Sequence, residues 1–252
     1  MLNNRFIRTF IYIWVAFFCV LGGFLGYTIL SLPDVTELAN HHPEITSFIE
    51  YRKEQAEKDG EELKVRCQWT DLQNIPEVLQ RTVVVSEDAA FWSHEGVDWY
   101  EIKQSIKENL EEGKRLRGAS TITQQTAKNL YLNPDRNLYR KFQEFLITRD
   151  LEAHLSKDRI LELYLNYIEF GEGIFGIKSA ALYYFGKIPA QLDLSEMVRL
   201  VAIIPSPLLL NPRRASGELR WRSYEILRRL YRFNFIPEET YLQTKSQFDN
   251  FF

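Results

Sequence analysis

Two stretches of this sequence hold residues whose types and spacing could do chemistry. In Ser86-Glu87-Asp88-Ala89-Ala90-Phe91-Trp92-Ser93-His94-Glu95-Gly96-Val97-Asp98, two adjacent acids follow an apolar run, and an aromatic and a histidine precede a turn glycine. Desolvation raises the pKa of an acid at the edge of apolar surroundings, which suits a carboxylate for proton transfer. Acid pairs also commonly do no more than solvate a helix end. The second stretch is Arg117-Gly118-Ala119-Ser120-Thr121-Ile122-Thr123-Gln124-Gln125-Thr126-Ala127-Lys128-Asn129. It combines an Arg-Gly turn, a run of hydroxyls, paired glutamines and a lysine, with almost nothing apolar before Ile122. Small residues let backbone N–H groups approach a ligand closely. Thr121 with Gln124 fits the capping box that starts a helix, and the free N–H groups of such a start suit a phosphate. Thr121, Gln125 and Lys128 then fall at i, i+4 and i+7, on one face. An ordinary polar helix start would read much the same. A third group is Arg140, Lys141 and Glu144, for which spacing alone favours a surface ion pair worth about 0.3–0.5 kcal/mol.

Composition narrows the classes of function. The chain has 252 residues, 26% charged and 45% hydrophobic, which fits one sizeable domain with an appendage. A formal net charge of −3 lends no support to non-specific nucleic-acid binding. Cys19 lies in an apolar run and Cys67 in a polar one, so no disulfide is expected between them, and no zinc spacing exists. Cys67 is expected to be free and buried. His41, His42, His94 and His154 are not clustered as ligands would be, and no structural metal is expected.

The elements that must position these groups read as mostly α. Residues 10–32 carry no charge and supply the roughly 20 apolar residues that a bilayer span needs. Arg5 and Arg8 precede the run, and Asp34 and Glu37 follow it, which places residues 1–9 in the cytoplasm and the bulk of the chain outside. A cleaved signal peptide would have a shorter apolar core and a small-residue cleavage site, so a retained anchor is expected. Residues 33–74 read as a charged connector, helical from Tyr51. Pro76 suits the first turn of a helix that Leu79, Val83 and Ala90 continue, although Val83-Val84-Val85 would also suit a buried strand. Helices follow over 99–110, after Asn137, and from Lys157 behind a Ser156 cap, with a mobile loop expected at 111–115. Glycines at 171, 173 and 176 punctuate the next loop. Further helices cover 177–184 and 194–204, and a basic amphipathic helix covers 219–232, to touch anionic lipid or to pack on its own domain.

Taken together these segments resemble the family-51 glycosyltransferases, which polymerise lipid II into peptidoglycan glycan strands. Five motifs of that family occur in order: Glu87-Asp88-x-x-Phe91-x-x-His94-x-Gly96; Gly118-Ala119-Ser120-Thr121-Ile122-Thr123-Gln124-Gln125; Arg140-Lys141-x-x-Glu144; Lys157-x-x-Ile160-Leu161-Glu162-x-Tyr164-Leu165-Asn166; and Gly176-Ile177-x-x-Ala180-Ala181-x-x-Tyr184-Phe185-Gly186-Lys187. The match runs from about residue 75 to 212 and weakly beyond. Ala119 stands where many members have glycine, and Ala89-Ala90 replace commoner polar residues. The chain ends where a class A penicillin-binding protein would go on to a transpeptidase, so the resemblance is to the monofunctional biosynthetic transglycosylases.

The resemblance implies a mainly α, lysozyme-like glycosyltransferase domain over 75–252, with a small jaw lobe in the 33–74 region and one N-terminal transmembrane helix. It implies that Glu87 is the general base and that Glu144 assists around the donor. Lys128 and Arg136 would hold the departing pyrophosphate. Gln124, Gln125, Ser120 and Thr121 would line the cleft, Arg117 would also meet phosphate, and Asp88 and Asn166 would support from behind. The reaction would be inverting and need no cofactor, with stimulation by a divalent cation such as Mg or Mn left open. The partners implied are lipid II, the growing lipid-linked strand and the membrane, with penicillin-binding and cell-division proteins as candidates and no nucleic acid. The expected location is the bacterial inner membrane, with the catalytic domain periplasmic. The rival readings are a lytic enzyme of the same architecture and a non-catalytic cell-wall scaffold. A lytic enzyme acting on neutral glycan needs no phosphate clamp, and a scaffold need not have kept Glu87 and Glu144.

Overall fold

The structure, a computed structural model, describes residues 4–112, 120–134 and 137–252. Its first helix, α1 (Asn4–Leu30), contains the 23-residue stretch Arg8–Leu30, long and apolar enough to cross a membrane. Side chains such as Phe17, Val20 and Ile29 lie exposed along it, unlike those of a core helix, and this is consistent with membrane anchoring. Ser31 and Leu32, expected in the span, form the turn that ends it.

The connector is not loose. Arg159 donates from Nε to the Leu38 carbonyl and from Nη2 to the His41 carbonyl, at 2.7 Å each. The Tyr167 hydroxyl donates to the Pro43 carbonyl. The Phe24 ring near the end of α1 lies 5.5 Å from that of Tyr139. α2 (Ser47–Lys58) starts where the Thr46 side chain accepts from the Ile49 N–H. β1 (Arg66–Cys67) follows. Cys67 is free but only half-buried, and its thiol, pushed up to about 11 by desolvation, donates to the Asn166 carbonyl at 3.6 Å.

α3 (Glu77–Glu87) begins one residue after Pro76, which stands at the N-cap position without a side-chain cap and not in the first turn. Val83, Val84 and Val85 are all buried within this helix, so the strand alternative falls. Ala90 lies beyond its end. α4 covers Trp99–Glu112, two residues longer than expected, and the rest of the expected mobile loop lies outside the described residues. The core is organised around α5 (Ile122–Tyr131), which packs on α2, on α6 (Leu138–His154) and on α7 (Lys157–Tyr167).

β2 (Glu169–Gly171) and β3 (Ile174–Phe175) lead to α8 (Ile177–Phe185), α9 (Leu194–Ala202), α10 (Gly217–Arg232) and α11 (Glu238–Phe251). α3 packs on α9 and α10, and α10 also packs on α9 and α11. The sheet order is β1-β3-β2, with β1 parallel and β2 antiparallel to β3. These strands are too short for alternation to show in the sequence, and β2 and β3 are buried throughout. The join between β3 and α8 leaves no room at Gly176. Its φ is +80°, and a Cβ there would stand 2.5 Å from the Asn166 carbonyl oxygen. Gly176→Ala should therefore cost upward of about 1 kcal/mol in denaturant unfolding.

Candidate active site

Glu87 is the last residue of α3, where the helix meets an open cleft of about 490 Å³. Ser120, Gln125 and Lys128 line that cleft from the α5 side, and Trp221, Arg222 and Arg229 line it from α10. A second hollow of about 310 Å³ shares Glu87, Ser120 and Arg229 and continues past Asp98 and Tyr100. Glu87 thus stands where two parts of one trough meet. Its Oε2 accepts from Gln125 Nε2 at 3.1 Å and its Oε1 from Ser86 Oγ at 3.3 Å. The Tyr164 hydroxyl donates to Gln125 Oε1 at 3.4 Å, which turns the amide so that its N–H₂ faces the carboxylate. Desolvation holds the Glu87 pKa above the ordinary glutamate value, against the pull of Gln125, Ser86 and the nearby Arg222. The result is a fixed carboxylate with raised basicity, open to the cleft.

The neighbouring Asp88 is buried and does different work. Its Oδ2 accepts the Ile122 N–H at 3.0 Å, and both its oxygens lie 3.0 Å from His94 Nε2. Because the Gly96 N–H donates to His94 Nδ1, the ring proton sits on Nε2 and is donated to Asp88. The capping box is formed: Thr121 Oγ1 accepts the Gln124 N–H, and Gln124 Oε1 accepts the Thr121 N–H. These bonds change the expected role of this helix start. The anion at the N-terminus of α5 is Asp88's own carboxylate, so the start is no vacant phosphate seat. Gln124 is buried with its oxygen committed to the cap, and it is not among the residues lining the cleft. Thr121 gives its hydroxyl to the Gly96 carbonyl at 2.6 Å and meets only the smaller hollow. Thr123 and Thr126 are likewise buried and bonded within the fold. Much of the hydroxyl run therefore serves packing.

Lys128, one helical turn beyond Gln125, reaches the cleft wall. Among the described residues its ammonium has no hydrogen-bond or ion-pair partner. Desolvation lowers its pKa, opposed first by the charge of Glu144. Glu144 is no surface residue. Its side chain is 4% exposed and accepts from Arg140 Nη1 at 2.7 Å and from Lys141 Nζ. The buried face of α6 runs through Glu144, Ile147, Thr148 and Leu151, whereas Phe142, Phe145 and Leu146 are half-buried. Helical spacing is identical for a surface pair and a buried one, and only the packing of α6 on α5 separates them. Glu144→Ala would strand the largely buried Arg140 and should cost about 3–5 kcal/mol in chemical denaturation, whereas Glu144→Gln, which keeps an acceptor, should cost less.

Asn166 is fully buried, and its side chain pairs with both the N–H and the carbonyl of Thr70 at 2.8 and 2.9 Å. It pins the connector to α7 rather than facing the cleft. Arg117 and Arg136 lie outside the described residues. Two contributors escaped the sequence reading. Tyr164 orients Gln125, and α10 supplies a wall of the cleft. Arg222 and Arg229 are seven residues apart, so i, i+7 spacing on an amphipathic helix was the available signal. That helix packs on its own domain through Leu219, Ile226, Leu227 and Leu230.

Comparison with known proteins shows the family to which the chain belongs. The transglycosylase family profile matches residues 55–231. The chain is 39% identical over 191 residues to the biosynthetic peptidoglycan transglycosylase of Herminiimonas arsenicoxydans, covering 76% of this chain and 83% of that protein. It is 42% identical over 190 residues to the protein of that name from Nitrosomonas eutropha, covering 75% and 78%. Against that from Laribacter hongkongensis it is 36% identical over 218 residues, covering 86% and 95%. Among solved structures, penicillin-binding protein 1A from Haemophilus influenzae aligns with a TM-score of 0.41 and 21% identity, over 73% of this chain and 18% of that one.

Proposed function

This chain belongs to the transglycosylase family, the peptidoglycan glycosyltransferases that build glycan strands, and we propose that its substrate is lipid II, joined through β-1,4 linkages with release of undecaprenyl pyrophosphate. The observation that carries this reading is the trough lined together by Glu87, a desolvated carboxylate held by Gln125, and by Lys128, whose ammonium has no partner among the described residues.

In this scheme the acceptor sugar's 4-hydroxyl attacks the anomeric carbon of the donor while Glu87 takes its proton. The bond from that carbon to the pyrophosphate breaks, and the electron pair leaves with the phosphate oxygen. Attack from the opposite face turns an α-linked donor into a β-linked product. Charge develops on the leaving oxygen, where Lys128 is a point charge, and Arg136 and Arg117 are its proposed companions. Glu144 acts through the cations it holds, Arg140 and Lys141, and through its field on Lys128. Ser120, Gln125 and Thr121 line the path, Gln124 caps α5, Asp88 ties the start of α5 to the end of α3, and Asn166 fixes the connector. A pyrophosphate leaves as a stabilised anion, so one carboxylate and a set of cations suffice, unlike the two carboxyls of a glycosidase. The scheme requires no cofactor. With α1 inserted in the inner membrane, residues 1–9 face the cytoplasm and the cleft faces the periplasm. The lipid-linked donor and strand then lie in the adjacent leaflet, where penicillin-binding and division proteins can meet the enzyme.

The test is incubation of the detergent-solubilised protein with labelled lipid II. Long glycan is expected. Shortening of preformed glycan would establish the lytic reading, and binding of lipid II without any turnover would establish the scaffold.

A further inference from the structure

Beside the catalytic trough lies a second hollow that the reaction scheme does not use. It is a groove of about 480 Å³ between the end of α3 and the turn after α10. Its floor is apolar, formed by Val84, Val85 and Ala89, and its walls are three aromatic rings, Trp92, Phe233 and Phe235. Trp92 is 54% exposed, yet its ring is braced edge-to-face at 5.0 Å against the fully buried Phe91, so its free face is fixed toward the groove. The opposite wall is equally deliberate in its backbone. α10 ends in a Schellman motif: the Phe235 N–H reaches the Leu230 carbonyl at 2.9 Å, and the Asn234 N–H reaches the Tyr231 carbonyl at 3.0 Å. Asn234, at φ +58°, is the left-handed residue that motif needs, and it sets Phe233 and Phe235 on the same turn, rings 6.1 Å apart. Arg81 covers the Phe235 ring at 4.7 Å, and Gln80 and Asp158 add polar groups at the rim.

We propose that this groove is a saccharide-binding surface that receives the growing glycan strand where it leaves the catalytic trough. Resting on the polymerase reading above, the choice of occupant follows from continuity and chemistry. The groove and the Glu87 hollow share Val85 and Ala89, so the two meet at the Ala89 rim. With the pyrophosphate end of the donor at Lys128, the saccharide units run past Glu87 and away from Lys128, toward that rim. A β-1,4-linked hexose presents a flat face of C–H bonds edged by hydroxyls. An exposed indole bordered by amide, carboxylate and guanidinium groups matches both features, because an aromatic ring supplies apolar area at small entropic cost.

The experiment uses the full chain in detergent with two readouts. The first is titration with a β-1,4-linked N-acetylglucosamine hexamer, comparing wild type with Trp92→Ala, Trp92→Phe and Phe235→Ala. Trp92→Ala should weaken the hexamer about tenfold or more, as truncation of an aromatic anchor does, and Trp92→Phe should recover most of the loss. The second is strand length from labelled lipid II, where Trp92→Ala should shorten the product more than it slows the first coupling. Hexamer binding that ignores both aromatic substitutions would overturn the proposal, as would displacement by a prenyl alcohol in place of the hexamer. Wild type that makes no polymer would sink the polymerase reading, and the hexamer titration would still decide on the groove.

Discussion

Glu87→Gln should lower glycan polymerisation about 10²–10⁴-fold, the share a positioned base supplies, and should leave the folded protein more stable at neutral pH. Gln125 can still donate to the new side-chain oxygen, so the cleft keeps its shape while the proton acceptor is lost. The stability half follows from the sign of the shift. Desolvation raises the Glu87 pKa above 4.5, so the folded chain binds this proton more tightly than the unfolded chain does. That stabilisation is complete below the ordinary value and is lost as pH rises through the raised one. At neutral pH the ionised carboxylate is a net burden, which the amide removes. Wild-type activity needs the ionised form, so its acid limb should fall at a pH above the usual glutamate range. Thermal melts beside lipid II turnover at several pH values would check both halves. An inactive variant that melts earlier than wild type would contradict the desolvated-base account.

Lys128→Met should have the second largest effect, a loss of about 10²–10³ in turnover, as for other groups aimed at developing charge. The methionine keeps the stem's packing and removes the cation. Desolvation lowers the lysine pKa below 10.5, so the folded chain holds this proton less tightly than the unfolded chain. The deprotonated form therefore favours folding. That contribution is present above the ordinary value and is lost as pH falls through the lowered one. Lys128→Met should thus raise the melting temperature at neutral pH. The alkaline limb of wild-type turnover should lie below the ordinary lysine range, because the clamp must be charged. With Glu87 on the acid side, the pH profile is a bell. A variant that kept its turnover would remove Lys128 from any contact with the leaving group.

What the sequence disclosed, and what it withheld, divides along one physical line. Signals carried by contiguous sequence were readable, including the capping box of Thr121 and Gln124, the Ser156 cap on α7 and the apolar span of α1. Glu87 and Lys128 stand out by local context, an acid pair after an apolar run and a lysine on one face of a capped helix, whereas the roles expected of them rest on the family resemblance. What depended on distant packing could not be read. Glu144 has the spacing of a surface pair, and its burial is decided by α5 lying against α6. The 2.6 Å pair between Arg52 and Glu169 joins residues 117 positions apart, with no local trace. The hydroxyl run misled for a related reason. Threonine and glutamine at a helix start look equally suited to a ligand or to an internal cap, and here Asp88, brought in from α3, claims the helix terminus first.

The clasp of Arg159 on the Leu38 and His41 carbonyls has a consequence for how the enzyme meets its substrate. With α1 inserted as proposed, only residues 31–37 separate the end of the span from the first clasped carbonyl. A chain reaches at most ~3.5 Å per residue, and part of this one is coiled, so the domain is tethered close to the bilayer surface. Enzyme and lipid-tailed substrate then find one another by diffusing in a plane rather than through a volume. The density that governs encounter is molecules per area of membrane, and a short, clasped tether keeps that effective concentration high. On the proposed insertion the connector, which bears no catalytic group, fixes the dimensionality of the search.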